Sequence, residues 1–517
     1  MVGTAGFALT WARCHRGLTL AALAFAAAVT PSGVAEASAS WTGSIGMLPR
    51  PPGAVRYAAV AFAPDGRHLY GLDVAGRVDG WVRDAGANTL RRLPAASRCV
   101  AVAVPRCATV GSFPTNARQL LVSPDGTSVY VAGDGAILAL RRDPTSGALA
   151  ALSAGGCLSL TALTCSGTGA SVRIAISPDG ASVFAATGDR VLALARDRQT
   201  GALEVRPGPT GCVGPGTPLD CASGRGLGWA AGALAVTPDG RGLLAAGGPN
   251  AAFSIAVLDV GPGGSLIQRA GAAGLPIDGA VGCDSASGCT PEPALAIAPD
   301  GRTVAVGRTD VLTFHRDPGS GALNASCTRS SPCLGLAPPF AFSPDSAQLY
   351  ATSTSLVDEN PLQALRYGVV DPATGRLGAP PPAFAADVFT GLDQGAGALL
   401  AAPDGRALVT DALALIGRRT SVPPPSIAVR FQRRCSRGSV LARVIVTRRR
   451  PRSPISVVAT TISGFVPDQR VRRVGNGRLT VRIEYPGPND EPAIEVIASG
   501  RDGLPLRRVF DVPSCQR

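Results

Sequence analysis

Seven positions in this chain share a chemistry and a spacing that would let them act together: Asp73, Asp134, Asp189, Asn250, Asp310, Asp358 and Asp411. Each lies in a short polar turn between two apolar runs, one per copy of a recurring unit. Carboxylate oxygens are hard donors. Six of them gathered at one rim, from Asp73, Asp134, Asp189, Asp310, Asp358 and Asp411, would hold a hard cation such as Ca²⁺ or attract a basic ligand. The same residue types also favour tight turns for a purely local reason, because their side chains bond their own backbone. Both readings stand at this level.

Other catalytic chemistry is thinly represented. Beyond residue 39 the histidines are His68, just after a Pro-Asp-Gly turn, and His315, at the end of an apolar run. A histidine base needs a nucleophile or substrate within reach, and these two read as surface or strand-end residues. The chain has no lysine, so it has neither a Walker A motif nor a Schiff-base lysine. No Gly-x-Ser-x-Gly elbow and no His-Glu-x-x-His zinc motif occur.

The elements that would position these residues are read from Ser123-Pro124-Asp125-Gly126, with Leu120-Leu121-Val122 before it and Ser128-Val129-Tyr130-Val131-Ala132 after it. Proline presets φ, aspartate bonds its own backbone and glycine accepts the positive φ that closes a hairpin. The turn recurs at Pro64, Pro178, Pro238, Pro299, Pro344 and Pro403, at spacings of 60, 54, 60, 61, 45 and 59 residues along the chain; six copies read Pro-Asp-Gly and one reads Pro344-Asp345-Ser346. A third run ends in Arg142-Asp143, Arg196-Asp197 or Arg316-Asp317, and a turn into Gly-Ala-Leu opens a fourth. Four short strands per repeat predict an all-β, seven-bladed β-propeller, because a single unit cannot bury its apolar faces alone.

The seventh copy lacks its fourth strand, while Trp41 to Leu48 precedes the first copy with no repeat of its own. That segment is expected to supply the missing outer strand and close the ring, removing an exposed edge. In a blade, the first-to-second and third-to-fourth turns share one face. The second-to-third turns and the Cys-containing links share the other.

Arg13 and Arg16, an apolar stretch from Leu18 to Val29 and Ala37-Ser38-Ala39 have the layout of a secretory signal peptide over 1–39, cleaved near Ala39. The stretch is short of the ~20 residues that a membrane span needs, and an uncleaved anchor is the alternative. Ten cysteines fall in close pairs, Cys99/Cys107, Cys157/Cys165, Cys212/Cys221, Cys283/Cys289 and Cys327/Cys333, and Cys435 and Cys515 bracket the C-terminal region. In an exported chain these read as disulfides, and the spacing is not that of a zinc site.

The net charge of +13 is unevenly spread: 18 arginines face 7 acidic residues from Ser426 onward, against 31 and 29 before it. The repeat region, 40–422, is therefore close to neutral. Residues 426–517 show alternating strands that suggest an immunoglobulin-like β-sandwich tied by Cys435–Cys515. Its run Arg448-Arg449-Arg450 with Arg452 reads as a solvated loop or as a site for an acidic cell-surface polymer. No aromatic interleaving points to nucleic acid. Asn324-Ala325-Ser326 matches a glycosylation sequon.

Ser-Pro-Asp-Gly, then Val-Tyr-Val-Ala, then Arg-Asp-x-x-Thr/Ser-Gly-Ala-Leu, over roughly residues 55 to 420, resembles the YVTN-repeat, lactonase-like β-propellers. The resemblance implies the fold and, for activity, lactone chemistry on polar and charged groups around a central channel. The matching residues are turn and strand residues, and none of the family's catalytic positions maps onto a residue here. The expectation is a secreted, monomeric propeller without a transmembrane span, binding or scaffolding an unidentified ligand or protein at one face. A lactone hydrolase is the alternative.

Overall fold

The structure, a computed structural model, describes residues 45–47 and most of 56–511. Segments 215–220, 228–231, 248–253, 269–274, 277–293, 328–335, 379–397, 419–426, 449–454, 463–469, 485–492 and 501–505, and gaps of one to three residues, lie outside the described set.

The repeated turn folds for the local reasons its residues supply. Asp125 Oδ1 accepts the Thr127 amide at 3.0 Å, and Ser123 Oγ accepts the Ser128 amide at 2.9 Å. The turn's last residue is left-handed in every copy, at Gly66, Gly126, Gly180, Gly240, Gly301, Ser346 and Gly405. Ser346 bears the strain of that conformation, and its Oγ accepts the Asp300 amide of the preceding repeat at 2.9 Å.

Among the described residues up to Arg418, the strands form seven sheets, mainly antiparallel. The second is representative: Gln119–Val122, Ser128–Ala132, Ala136–Arg142 and Leu149–Ala151 pair in sequence order. The first strand of each sheet packs against that of the next, and Leu399–Ala401 of the last lies against Ala59–Phe62 of the first. That radial closure makes the region a β-propeller. Middle strands are buried on both faces, which explains their unbroken apolar runs. Val129 and Val131 pack with Tyr70 and Leu72 of the first sheet, while Tyr130 packs with Ile174 and Val183 of the third.

The last sheet is completed from the other end of the chain. Ile45–Met47 pairs antiparallel with Leu415–Arg418, in the register Ile45↔Arg418 to Met47↔Ile416. This is the segment that the defective seventh repeat called for.

The cysteine segments do more than link sheets. Cys99–Ala101, Cys157–Ser159 and Cys212–Gly214 each pair with the start of a third strand, beyond the reach of the fourth. The outer edge of that strand is thus covered by two short strands in succession. Disulfides Cys99–Cys107, Cys157–Cys165 and Cys212–Cys221 hold these segments, with Cα separations of 4.7, 5.9 and 4.6 Å. Cys327 is also disulfide-bonded. Cys283, Cys289, Cys333 and Cys515, and the Cys435 side chain, lie outside the described residues.

The three bridges close loops of 8, 8 and 9 residues, so each contributes at or below about 3 kcal/mol. Reduction is expected to raise hydrogen exchange in 99–109, 157–165 and 212–223 while the first strands of the sheets stay protected. Loss of protection in those inner strands would contradict this.

Residues 427–511 form two further sheets: Ile427–Ser436, Ser439–Arg448 and Arg478–Glu484 in one, and Arg470–Val474, Ile455–Ile462, Ala493–Gly500 and Leu506–Asp511 in the other. Arg470–Val474 reads Arg-Val-Arg-Arg-Val and carries no clean apolar alternation, so its sequence announces no strand.

Candidate functional site

The acidic positions of the second-to-third turns are placed individually. Asp73 Oδ1 accepts the Ala75 and Arg77 amides at 3.0 and 2.9 Å, and its Oδ2 lies 3.2 Å from Arg77 Nε. Asp134 accepts Asn116 Nδ2 at 2.7 Å, and Asp189 sits 3.6 Å from Arg190 Nε. Asp411 is buried and accepts Arg56 Nε at 2.9 Å. Asn250, Asp310 and Asp358 lie outside the described residues. Each of the four described carboxylates therefore has a neighbouring amide or arginine. Among the described residues, no three His, Cys, Asp or Glu side chains are grouped as a metal site.

These turns share a face with the cysteine segments, as the register Asp79↔Cys99 beside Arg77↔Ala101 requires. On that face the first repeat exposes Val74, Val102 and Val104, at 89%, 43% and 38%. The Cys99–Cys107 loop that carries two of them holds Ala103 and Arg106 in left-handed backbone, at φ 50° and 69°. Such strain costs of order 1 kcal/mol or more per residue and persists only where the surroundings impose it.

Around the axis, the Gln119 side chain acts as a piece of strand. Its Nε2 donates to the Ile174 carbonyl at 2.8 Å, and its Oε1 accepts the Ile174 amide at 2.6 Å. Arg173 is buried beside it and donates to Ser171 Oγ at 3.2 Å and to the Val172 carbonyl at 3.1 Å.

The densest polar chemistry lies on the opposite face, at a set of residues that sequence reasoning read only as turn formers. In four repeats the Pro-Asp-Gly aspartate uses one oxygen for its own turn and turns the other to the next sheet, and Asp125 Oδ1 serves both. Asp65 Oδ2 accepts Arg142 Nη2 at 2.8 Å, Asp125 Oδ2 accepts Arg196 Nη1 at 2.7 Å, and Asp239 Oδ2 accepts Arg316 Nη2 at 3.0 Å. Asp404 Oδ2 accepts Arg83 Nη1 at 2.9 Å, which carries the series across the ring closure. Each of these arginines lies at or next to the end of a third strand and is buried. Arg142 and Arg196 also donate through Nε to Tyr70 Oη and Tyr130 Oη, both at 2.7 Å, and through Nη1 to the Gly126 and Gly180 carbonyls. Val260 and Val370 occupy the arginine's register position in the fourth and sixth sheets.

Burial by itself would raise the carboxyls of Asp65, Asp125, Asp239 and Asp404, but hydrogen bonds from the turn and the arginine outweigh it. All four are held below the usual carboxylate range. Burial pushes the Tyr70 hydroxyl up to about 12, against the pull of Arg142. The sequence signal for this network was the Arg-Asp pair closing third strands, here shared between two roles: the arginine clasps the previous sheet, and the aspartate caps its own turn, as when Asp143 Oδ1 accepts the Thr145 and Ser146 amides.

The two histidines divide. His68 opens the strand His68–Leu72, as its place after the turn suggested, but it is fully buried, with Nδ1 3.1 Å from Asp65 Oδ2 and 2.9 Å from Arg142 Nη2. The reason is the neighbouring sheet, whose Gly147 lies over its ring. His315 lies near the end of Val311–Arg316, half-buried, beside the Gly375 turn of the next sheet. Ser326 Oγ faces the same turn, where it donates to the Thr374 carbonyl.

No family model matches the chain, and no curated protein matches it. Solved structures to which it is similar include a functionally unknown protein from Desulfotomaculum acetoxidans DSM 771, at 14% identity over 62% of this chain and 89% of that one, with a TM-score of 0.40. TolB from Acinetobacter baumannii is 14% identical over 72% and 74%, with a TM-score of 0.28. The dihydro-heme d1 dehydrogenase NirN in complex with DHE is 15% identical over 78% and 75%, with a TM-score of 0.35.

Proposed function

We propose that the chain is an exported, disulfide-stapled binding or scaffold protein of the YVTN-repeat, lactonase-like type: a seven-bladed propeller over 40–422 followed by an immunoglobulin-like sandwich over 426–517. The seven turn copies and seven sheets support the blade count. The C-terminal strands, taken in chain order, pair as 1-2-5 and 4-3-6-7. This differs from the constant-type immunoglobulin arrangement only in placing the fourth strand with the second sheet. Formed disulfides support export, and among the described residues no helix is long and apolar enough to cross a membrane.

The observation that carries the binding reading is the Cys99–Cys107 loop, which holds Val102 and Val104 in solvent, on the same face as Val74, on a strained, cross-linked backbone. Apolar side chains held in solvent by a cross-linked loop offer a partner contact area that needs little ordering on binding. The ligand face is thus the cysteine-loop face, where the carboxylates of the second-to-third turns are also placed. The arginines of 448–452 would add affinity for an acidic surface polymer.

Incubation of the purified protein with a panel of sugar and acyl-homoserine lactones tests this against the hydrolase alternative. No turnover above background is expected. Turnover abolished by Gln119→Ala or Arg173→Ala, beside the axis, would establish the hydrolase instead.

A further inference from the structure

The residue that follows Pro-Asp-Gly-x opens the second strand of every repeat, and it differs tellingly along the chain: His68, Ser128, Ser182, Gly242, Thr303, Gln348 and Ala407. Only the first repeat places a group there that titrates near neutral pH. In the second repeat, Ser128 Oγ accepts Arg196 Nη2 at 3.0 Å. In the first, His68 Nδ1 occupies the same place against Arg142 Nη2, at 2.9 Å. An arginine has no lone pair to offer, so in the neutral Nε2–H tautomer Nδ1 accepts from Arg142, while Asp65 Oδ2, 3.1 Å from the same atom, meets Nδ1 as an acceptor once that nitrogen is protonated. Nε2 has no hydrogen-bond partner among the described residues.

We propose that His68 is a pH-sensitive pin in the junction between the first and second sheets, holding the Arg142 clasp closed when neutral and opening it when protonated. Protonation would turn Nδ1 into a donor that faces the Arg142 guanidinium and Asp65 Oδ2 together. Imidazolium and guanidinium would then compete for one oxygen, Asp65 Oδ2, which already accepts Arg142 at 2.8 Å. The charged or titratable groups facing His68 are Asp65 and Arg67 from its own turn, Tyr70 from its own strand and Arg142 from the second sheet, with Asp143 in the turn that carries Gly147. Gly147 closes over the ring so tightly that a Cβ there would overlap it, which leaves the imidazolium no room to turn to water.

Burial depresses the His68 basicity, with Arg142 and Arg67 acting in the same sense and Asp65 opposing them. A group held below its unfolded value contributes stability above that value and loses it as pH falls, here below about 6.5. The opening equilibrium of this junction should therefore rise by up to about tenfold per pH unit below about 6.5 until His68 protonates in the closed state.

The junction between the second and third sheets, with the same clasp built on Ser128, is the internal control. Hydrogen exchange of the whole mature chain at pH 7.5, 6.5 and 5.5, corrected for intrinsic rates, should show opening at Gly126, Arg142 and Gly147 that grows with acid, while Gly180, Arg196 and Gly201 stay flat. His68→Ser and His68→Gln use residues that other repeats carry at this position, and both should flatten the first junction. A wild-type first junction without pH dependence, or a dependence that survives in both variants, would overturn the proposal. So would an imidazole titration of folded His68 at or above 6.5.

Discussion

Removal of the residues through Leu48 will destabilise the propeller and make it prone to self-association. Ile45–Met47 contributes the outer strand of the last sheet, with three register pairs to Leu415–Arg418. At about 1 kcal/mol net per ladder hydrogen bond, its loss costs roughly 3 kcal/mol before any packing is counted. It also uncovers the edge of Leu415–Arg418, a row of unpaired backbone groups that templates strand addition. The seam that this strand supports joins the two ends of the propeller. There Tyr57 donates its amide to the Asp411 carbonyl at 3.0 Å, Arg56 pairs with Asp411, and Trp81 packs with Val409 and Leu413. Tyr57 Oη in turn donates to Asp79 at 2.8 Å and accepts Trp81 Nε1 at 3.2 Å. Calorimetry should show a lower, concentration-dependent melting temperature, and a synthetic peptide of residues 41–49 should recover part of the loss. A melting curve unchanged by the deletion would refute the closure.

The second large effect is expected at the clasp between the second and third sheets. Arg196 is fully buried and donates to Tyr130 Oη, both oxygens of Asp125, Thr127 Oγ1, Ser128 Oγ and the Gly180 carbonyl. Arg196→Ala strands the acceptors and leaves Asp125 without its cation. Breaking a buried pair costs about 3–5 kcal/mol, and because the Asp125 side chain keeps about a third of its exposure, the lower end applies. Arg196→Lys should recover only part, since a point charge cannot replace a fork that meets acceptors on three sides. A double-mutant cycle with Asp125→Ala should give a coupling above about 1 kcal/mol. Additive losses would remove the clasp from the account.

The pH dependence of this clasp follows from its sign. Burial opposes ionisation of Asp125, but the hydrogen bonds from Arg196, Ser123 and Thr127 outweigh it and hold the folded carboxyl below its usual range. Its contribution is present above the unfolded value near 3.9 and is lost as pH falls through that value toward the folded one. Asp125→Asn should flatten that acid limb. The pH window is distinct from that of His68, so the two junctions can be separated in one titration.

The clasps pair opposite charges within the near-neutral repeat region. Four arginine–aspartate pairs among the described residues are partners across sheets, and the surplus positive charge falls on the C-terminal region. Where the arginine is replaced by Val260 or Val370, the carboxylate serves elsewhere, as when Asp179 lies 3.5 Å from Arg198 of its own repeat.

The turns, the strand order within each repeat and the need for a closing strand were legible in the sequence alone. These features are set by neighbours in the chain: a proline that presets φ, a glycine that accepts a left-handed backbone, and apolar runs whose length suits a strand buried on both faces. The identity of the closing strand was legible by elimination, because one repeat was a strand short and one strand had no repeat. Tertiary structure alone decided what each polar residue does. Asp125 meets Arg196 across 71 residues of chain, and nothing in the local pattern shows that the carboxylate capping the turn also holds the next sheet. His68 looks like a strand-end surface residue until Gly147, from the following repeat, covers it. The cysteine segments look like loops because their strands are two or three residues long and pair only with an edge that the fold exposes. Sequence periodicity records how a strand meets its own sheet; which side chains meet between sheets depends on ring closure, which brings distant residues into contact only after the whole propeller has formed.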